Sequence, residues 1–172
     1  LVPDAPEIAD LSRLRYRPMV FVNLKLEGRG VMDDTVLWIP QRDKPFFRLT
    51  DTTDAMPPTA PAGHSVICVD YGATVGDEVW AADDDALISS TTEHLRSVLP
   101  EVARRVHGGF VQRIKAAYPV FDMAYEDVRQ RFAAHGSGIA GLESIGRNGE
   151  FDHLLMEDVY WRTRWRVHAL AA

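Results

Sequence analysis

From Tyr16 to Glu27 the chain reads YRPMVFVNLKLE, and beyond Pro18 apolar and polar residues alternate. Val20, Val22, Leu24 and Leu26 fall on one face, the period of a half-buried strand. Thr35–Pro40 (TVLWIP) and Phe46–Asp51 (FFRLTD) read as the second and third strands, with a turn-like GRGVMDD before the second. Asp54–Gly63 holds three prolines and a glycine and reads as a loop. Ser65–Gly72 (SVICVDYG) is a fourth strand, apolar enough along its length to sit centrally. The short connections favour antiparallel pairing.

After Gly72 the period lengthens. Asp83–Pro100 reads as a helix with acidic residues at its start and proline as its stop. Gly109–Val120 alternates again and reads as a strand. Asp122–Gly136 reads as a helix with Asp122 as N-cap and Gly136 as its end. GLESIG, from Gly141 to Gly146, reads as a short strand, and Leu154–Leu170 as a last helix rich in Arg and Trp. Strands first, then helices mixed with strands, predict an α+β fold: a largely antiparallel, mixed sheet with helices packed on one side. No repeat or linker interrupts residues 1–172, which read as a single domain.

Composition sharpens this picture. The 172 residues are 46% hydrophobic and 26% charged, a globular balance. The net charge is −6, with −7 in residues 1–100 and +1 beyond, so a general nucleic-acid partner is excluded. No apolar run approaches the roughly 18 residues a membrane span needs. The opening LVPDAPEIADLS is acidic, lacks an initiator Met and has no signal-peptide core, and reads as the start of an excised piece. Cys68 is the only cysteine and lies in an apolar run, which predicts a buried, inert thiol and a reducing, cytoplasmic setting.

Candidate chemistry is sparse. GSGIAG (Gly136–Gly141) matches the dinucleotide fingerprint in letters, but a helix precedes it where a strand is required, so it reads as a connection. The six histidines contain no i,i+4 pair, and a lone cysteine cannot build a thiolate zinc site, so no metal is assigned. No nucleophile elbow, phosphate loop or acid/base pair is present, and no catalytic residue is named. Arg48 is either a salt-bridged strand residue or an anion clamp at a ligand cleft. Tyr118, before Pro119, ends a strand. GRNGEFDHLLMED (Gly146–Asp158) pairs two glycines with Arg147 just before a helix. Such a turn brings backbone close to a ligand and aims a helix N-terminus at it.

Taken in order, LRYRPMVFVNLKL, FFRLTD, PPTAPAGHSVICVDY, AYPVFDMAYED and GRNGEFDHLLMED resemble the C-terminal part of the FAD-dependent amine oxidase and protoporphyrinogen oxidase superfamily, with its sugar-nucleotide mutase relatives. The resemblance covers nearly the whole chain. It implies a fold like the substrate-binding domain of flavin amine oxidases, with residues 141–170 as the last FAD-contacting segment. It assigns cofactor contacts to Gly146, Arg147, Gly149, Phe151, Leu155, Met156 and Glu157. His153, Leu155 and Glu157 stand where Tyr, Asn and Asp are usual, which weakens the polar contacts and leaves those of the backbone. Arg48 and Tyr118 would line the substrate side.

The implied function is hydride transfer from a small organic substrate to FAD in a longer protein. The implied partner is a missing N-terminal FAD-binding domain. Alternatives are a non-redox, flavin-dependent sugar-nucleotide mutase, or a flavin-independent module binding a small ligand or a protein. The chain alone would be inactive and hold little or no FAD, and would pair as a homodimer through exposed sheet surface. With no ring system beside it, Arg147 would be exposed.

Overall fold

The structure is a computed structural model that describes residues 6–51, 53, 56–136, 139 and 141–170. Leu1–Ala5 of the acidic opening, Thr52, Asp54 and Ala55 around the proline-rich loop, Ser137, Gly138 and Ala140 of the GSGIAG stretch, and Ala171–Ala172 lie outside the described residues. In chain order the elements are α1 (Pro6–Ala9), a 3-10 turn (Asp10–Arg13), β1 (Tyr16–Glu27), β2 (Val36–Trp38), β3 (Arg48–Asp51), a second 3-10 turn (Pro57–Thr59) and β4 (His64–Gly72). They continue with α2 (Glu78–Ala81), α3 (Asp84–Arg96), α4 (Pro100–Arg105), β5 (Val106–Pro119), α5 (Tyr125–Gly136), α6 (Gly146–Gly149) and α7 (Met156–Leu170). The fold is α+β, as the pattern predicts. The chain gathers into two compact units, residues 18–115 and residues 1–17 with 116–172.

The 18–115 unit carries the sheet, in the order β2-β3-β4-β1-β5. β1 pairs antiparallel with β4, β4 with β3, and β3 with β2. The register puts Leu37, Leu49, Val69 and Val22 in one row across four strands. This is the core face. Val20, Val22, Leu24, Leu49, Ile67 and Val69 are all fully buried there. Leu87 and Leu95 of α3 and Val102 and Ala103 of α4 complete the same cluster. A period-2 face opposite a period-3.6 face is the packing that the hydrophobic pattern implied.

Boundaries differ where local chemistry overrides the pattern. The predicted stop at Pro100 is not where α3 ends: α3 closes at Arg96 with Ser97 as its C-cap, and Pro100 instead opens α4, because proline is well tolerated at a first helical position. Asp83 caps α3 by accepting from the N–H groups of Asp85 and Ala86. Asp122 stands three residues ahead of α5, which starts at Tyr125; its carboxylate accepts from Ala124 N (3.0 Å) at the helix entrance and pairs with Arg15 (2.9 Å). β5 begins at Val106, ahead of its two glycines, and Gly109 has a packing reason. A Cβ there would lie 2.7 Å from the Asn23 carbonyl oxygen and 3.2 Å from Ile88. Gly109→Ala is therefore expected to cost about 1 kcal/mol or more, read as a lower urea midpoint with an unchanged slope.

The predicted strand at Gly141–Gly146 does not form. Leu142–Ile145 are irregular, and Gly146 already opens α6. A strand is defined by its ladder, and no strand among the described residues pairs with this segment.

Among the described residues the 1–17/116–172 unit buries few apolar side chains: Pro119, Val128, Phe151 and Leu154. α5 is tied to the chain start by Arg131 to Asp10 (2.8 Å). α7 buries none of its residues. Arg162 and Arg166 point from α7 to Glu150, while Trp161 and Trp165 stay exposed. No helix among the described residues is long and apolar enough to cross a membrane.

Candidate functional site

Gly146 has φ +85°, in the left-handed region that favours glycine. From it the chain makes one helical turn, closed by Glu150 N to Gly146 O (2.8 Å). Gly149 follows for another reason. Ser144 Oγ donates to Gly149 O (2.7 Å), and a Cβ at Gly149 would lie 3.1 Å from that hydroxyl. Phe151 then takes φ +47°, uncommon for a side chain with a Cβ. Its ring compensates by packing. It is 2% exposed, edge-on to Tyr16 (5.3 Å) and Phe121 (5.8 Å), with Tyr125 at 5.7 Å.

Arg147 is not exposed as the sequence reading expects. Its Nε and Nη2 donate to the Leu154 carbonyl at 3.1 and 2.7 Å, and its guanidinium lies 5.5 Å from the Tyr118 ring centre. The cause is the carbonyl just ahead of α7, which needs donors, and a planar fork supplies two. Asp158 caps the same helix by accepting from Leu155 N (2.8 Å). The result is a shallow groove of about 540 Å³ lined by Arg147, Leu154, Leu155, Met156 and Val159. Leu155 and Met156 stand out at 62% and 91% exposure, and Glu157 is exposed beside them.

Of the residues assigned to a cofactor, Arg147, Leu155 and Met156 meet at this groove. Gly149 and Phe151 line a separate cavity on the other side of the turn, about 720 Å³ in volume. Tested against a flavin, the groove fits in part. It offers an apolar rim and a helix start, while the Arg147 fork is committed to Leu154 and the side chain that caps α7 is Asp158.

Tyr118 lies in the same unit, under Arg147. Arg48 lies in the other. It is ion-paired with Asp70, whose side chain is 1% exposed, with Nε to Oδ2 at 2.9 Å. The register sets Trp38, Arg48, Asp70 and Phe21 in one row on the sheet face opposite the core. Arg48 also stacks 5.4 Å from the Trp38 ring. The next row on that face brings Thr50, Cys68 and Asn23 together. Of the two readings of Arg48, the salt-bridged strand residue is the one observed. The Asp70 partner was missed because cross-strand neighbours are set by register, which a single strand does not display.

Cys68 donates weakly to Asp70 Oδ1 (3.5 Å), and burial, with the Asp70 carboxylate next in weight, pushes its thiol up to about 12. A thiol near 9 when unfolded and near 12 when folded keeps its proton only in the native state between those values. Its contribution to stability is thus complete below pH 9 and falls as pH rises from 9 to 12. A disulfide-exchange reagent at pH 8 should leave native Cys68 unmodified and label it fully in denaturant. Rapid labelling of the folded chain would contradict this placement.

Among the described residues no three His, Cys, Asp or Glu side chains come together as a metal site. No protein-family profile matches the sequence, and no curated protein matches it significantly. Solved structures do. A reduced UDP-galactopyranose mutase shares the fold at a TM-score of 0.62 and 15% identity, over 82% of this chain and 30% of that one. A putative protoporphyrinogen oxidase from Exiguobacterium sp. 255-15 shares it at 0.55 and 17%, over 77% of this chain and 29% of that one. The chain thus spans under a third of either protein, and at these identities what it has in common with them is the fold of one segment of each.

Proposed function

We propose that this chain is the substrate-side portion, with the last flavin-contacting segment (141–170), of a longer FAD-dependent oxidoreductase that takes a hydride from a small organic substrate. The observation that carries the reading is the order of its parts. The chain, which shares its fold with the mutase over 82% of its length and with the oxidase over 77%, carries near its end a glycine–arginine turn that sets the start of a 15-residue helix beside an open groove. Hydride acceptance is the chemistry FAD would supply when bound.

This chain's own residues would do the positioning. Gly146 and Gly149 hold the turn, and Arg147 locks it to Leu154. Leu155 and Met156 present an apolar rim, with Glu157 beside it. Phe151 anchors the turn from inside. Trp38 and Arg48 would face substrate on the outer side of the sheet, and Tyr118 would act beside Arg147. The missing partner is an N-terminal FAD-binding domain, and a lone, half-buried free cysteine suits a cytoplasmic setting. Exposed Trp38, Phe110 and Ile114 are apolar surface that a second copy would cover in the isolated chain.

The test is the coding sequence ahead of Leu1. A strand, Gly-x-Gly-x-x-Gly and a helix should precede it, the longer protein should purify yellow, and the 172-residue chain should purify colourless. A longer protein without that unit and without flavin absorbance would overturn the reading.

A further inference from the structure

The sheet brings together two histidines that the chain order keeps apart. His64 opens β4 and His107 is the second residue of β5, both inside the 18–115 unit. Their rings meet edge to face, with centres 5.6 Å apart and planes at 77°. β1 lies between the two strands, and its last residue, Glu27, is the register partner of His64. Glu27 and His107 are exposed, and His64 is half-buried.

His64 is already oriented as a ligand. Its Nδ1 lies 3.1 Å from the Ala62 carbonyl oxygen, which can only accept. In the neutral ring the proton therefore sits on Nδ1, and Nε2 keeps its lone pair. A backbone carbonyl on the far nitrogen is the support that metal-bound imidazoles carry, because it fixes both tautomer and ring orientation.

The spacing fits a shared ion. With a zinc–nitrogen bond of about 2.0–2.1 Å, the centre of a bound imidazole stands about 3.2 Å from the metal. Two such rings are about 5.2 Å apart at a tetrahedral angle and about 5.5 Å apart at an angle of about 120°. The observed 5.6 Å is close to both, so the strands need not move. What must move is the exposed His107 ring, by rotation about its Cβ–Cγ bond, which is a broad torsion for an aromatic ring.

We infer that His64 and His107 bind one Zn2+ between them, as a two-imidazole chelate completed by water. The pair falls short of a three-ligand site among the described residues. The metal would tie the start of β5 to the start of β4 across β1. Glu27, opposite His64, supplies negative charge, and Arg105, whose Nη1 lies 3.3 Å from where a Cβ on Gly28 would stand, offsets it. Affinity therefore rests on the two imidazoles. That donor set suits zinc and disfavours Mg2+ and Ca2+, which take oxygen ligands. The inference does not depend on the flavin reading and stands or falls without it.

Calorimetric titration of the 172-residue chain with Zn2+ at neutral pH tests it. The wild-type chain should show a saturable site with a Kd below about 100 µM. His64→Ala and His107→Ala should each weaken it at least about tenfold. The double variant should lose no more than either single one, because a chelate needs both rings. His168→Ala, on α7, should bind as wild type does. Zn2+ should raise the urea midpoint of the wild-type chain and leave that of His107→Ala unchanged, and Mg2+ should move neither. No saturable Zn2+ binding below about 100 µM, wild-type affinity in a folded His107→Ala chain, loss of the site in His168→Ala, or equal binding of Mg2+ would each overturn the inference. If His64→Ala fails to fold, His107→Ala still decides it, because that ring is exposed.

Discussion

Arg48→Ala should remove about 3 kcal/mol of unfolding free energy, because it strands a carboxylate with nowhere to go. Asp70 is 1% exposed, and its Oδ2 takes both Nε and Nη2 of Arg48. With the arginine gone, the weak Cys68 contact at 3.5 Å is no substitute. The control is Arg48→Leu with Asp70→Leu, which replaces the pair by apolar groups and should recover most of the loss. Urea titrations of the three chains check it. Arg48→Ala within 1 kcal/mol of wild type would mean that Asp70 finds another donor, and the cross-strand row would lose its energetic meaning. The same substitution frees the Trp38 ring from its cation, so, if the proposed substrate role holds, altered substrate affinity is expected together with the stability loss.

Arg147→Ala should destabilise the chain by about 1.5–3 kcal/mol, as two charge-assisted bonds to a single carbonyl are lost. Arg147→Lys keeps the charge and forfeits the fork, so it should recover only part. Hydrogen exchange resolves where the damage falls: the amides of α7 should lose protection before those of β1 and β4. If the proposed longer flavoprotein exists, its flavin retention would weaken in step with α7 protection, because the arginine shapes the turn. An Arg147→Ala chain with wild-type stability and α7 protection would instead return the arginine to the direct cofactor contact that the resemblance implies.

How much of this was legible beforehand follows from the range of each interaction. Val20, Val22, Leu24 and Leu26 announce both a strand and its buried face, since alternation is a property of consecutive residues. Asp83 announces the start of α3 for the same reason, as a side chain within three residues of the N–H groups it caps. The segment Gly141–Gly146 shows the limit: its residues read as a strand, yet a strand exists only with a neighbour.

The site divides along the same line. Sequence alone determined that Gly146 and Gly149 make a turn ahead of a helix. Tertiary structure alone decided that Arg147 serves Leu154 and that Arg48 serves Asp70. A guanidinium reaches several ångströms in any direction, and its partner in the Arg48 pair sits 22 positions away along the chain. Which acceptor it meets is set by strand register and by the folding back of a turn, and neither leaves a periodic trace in the order of residues.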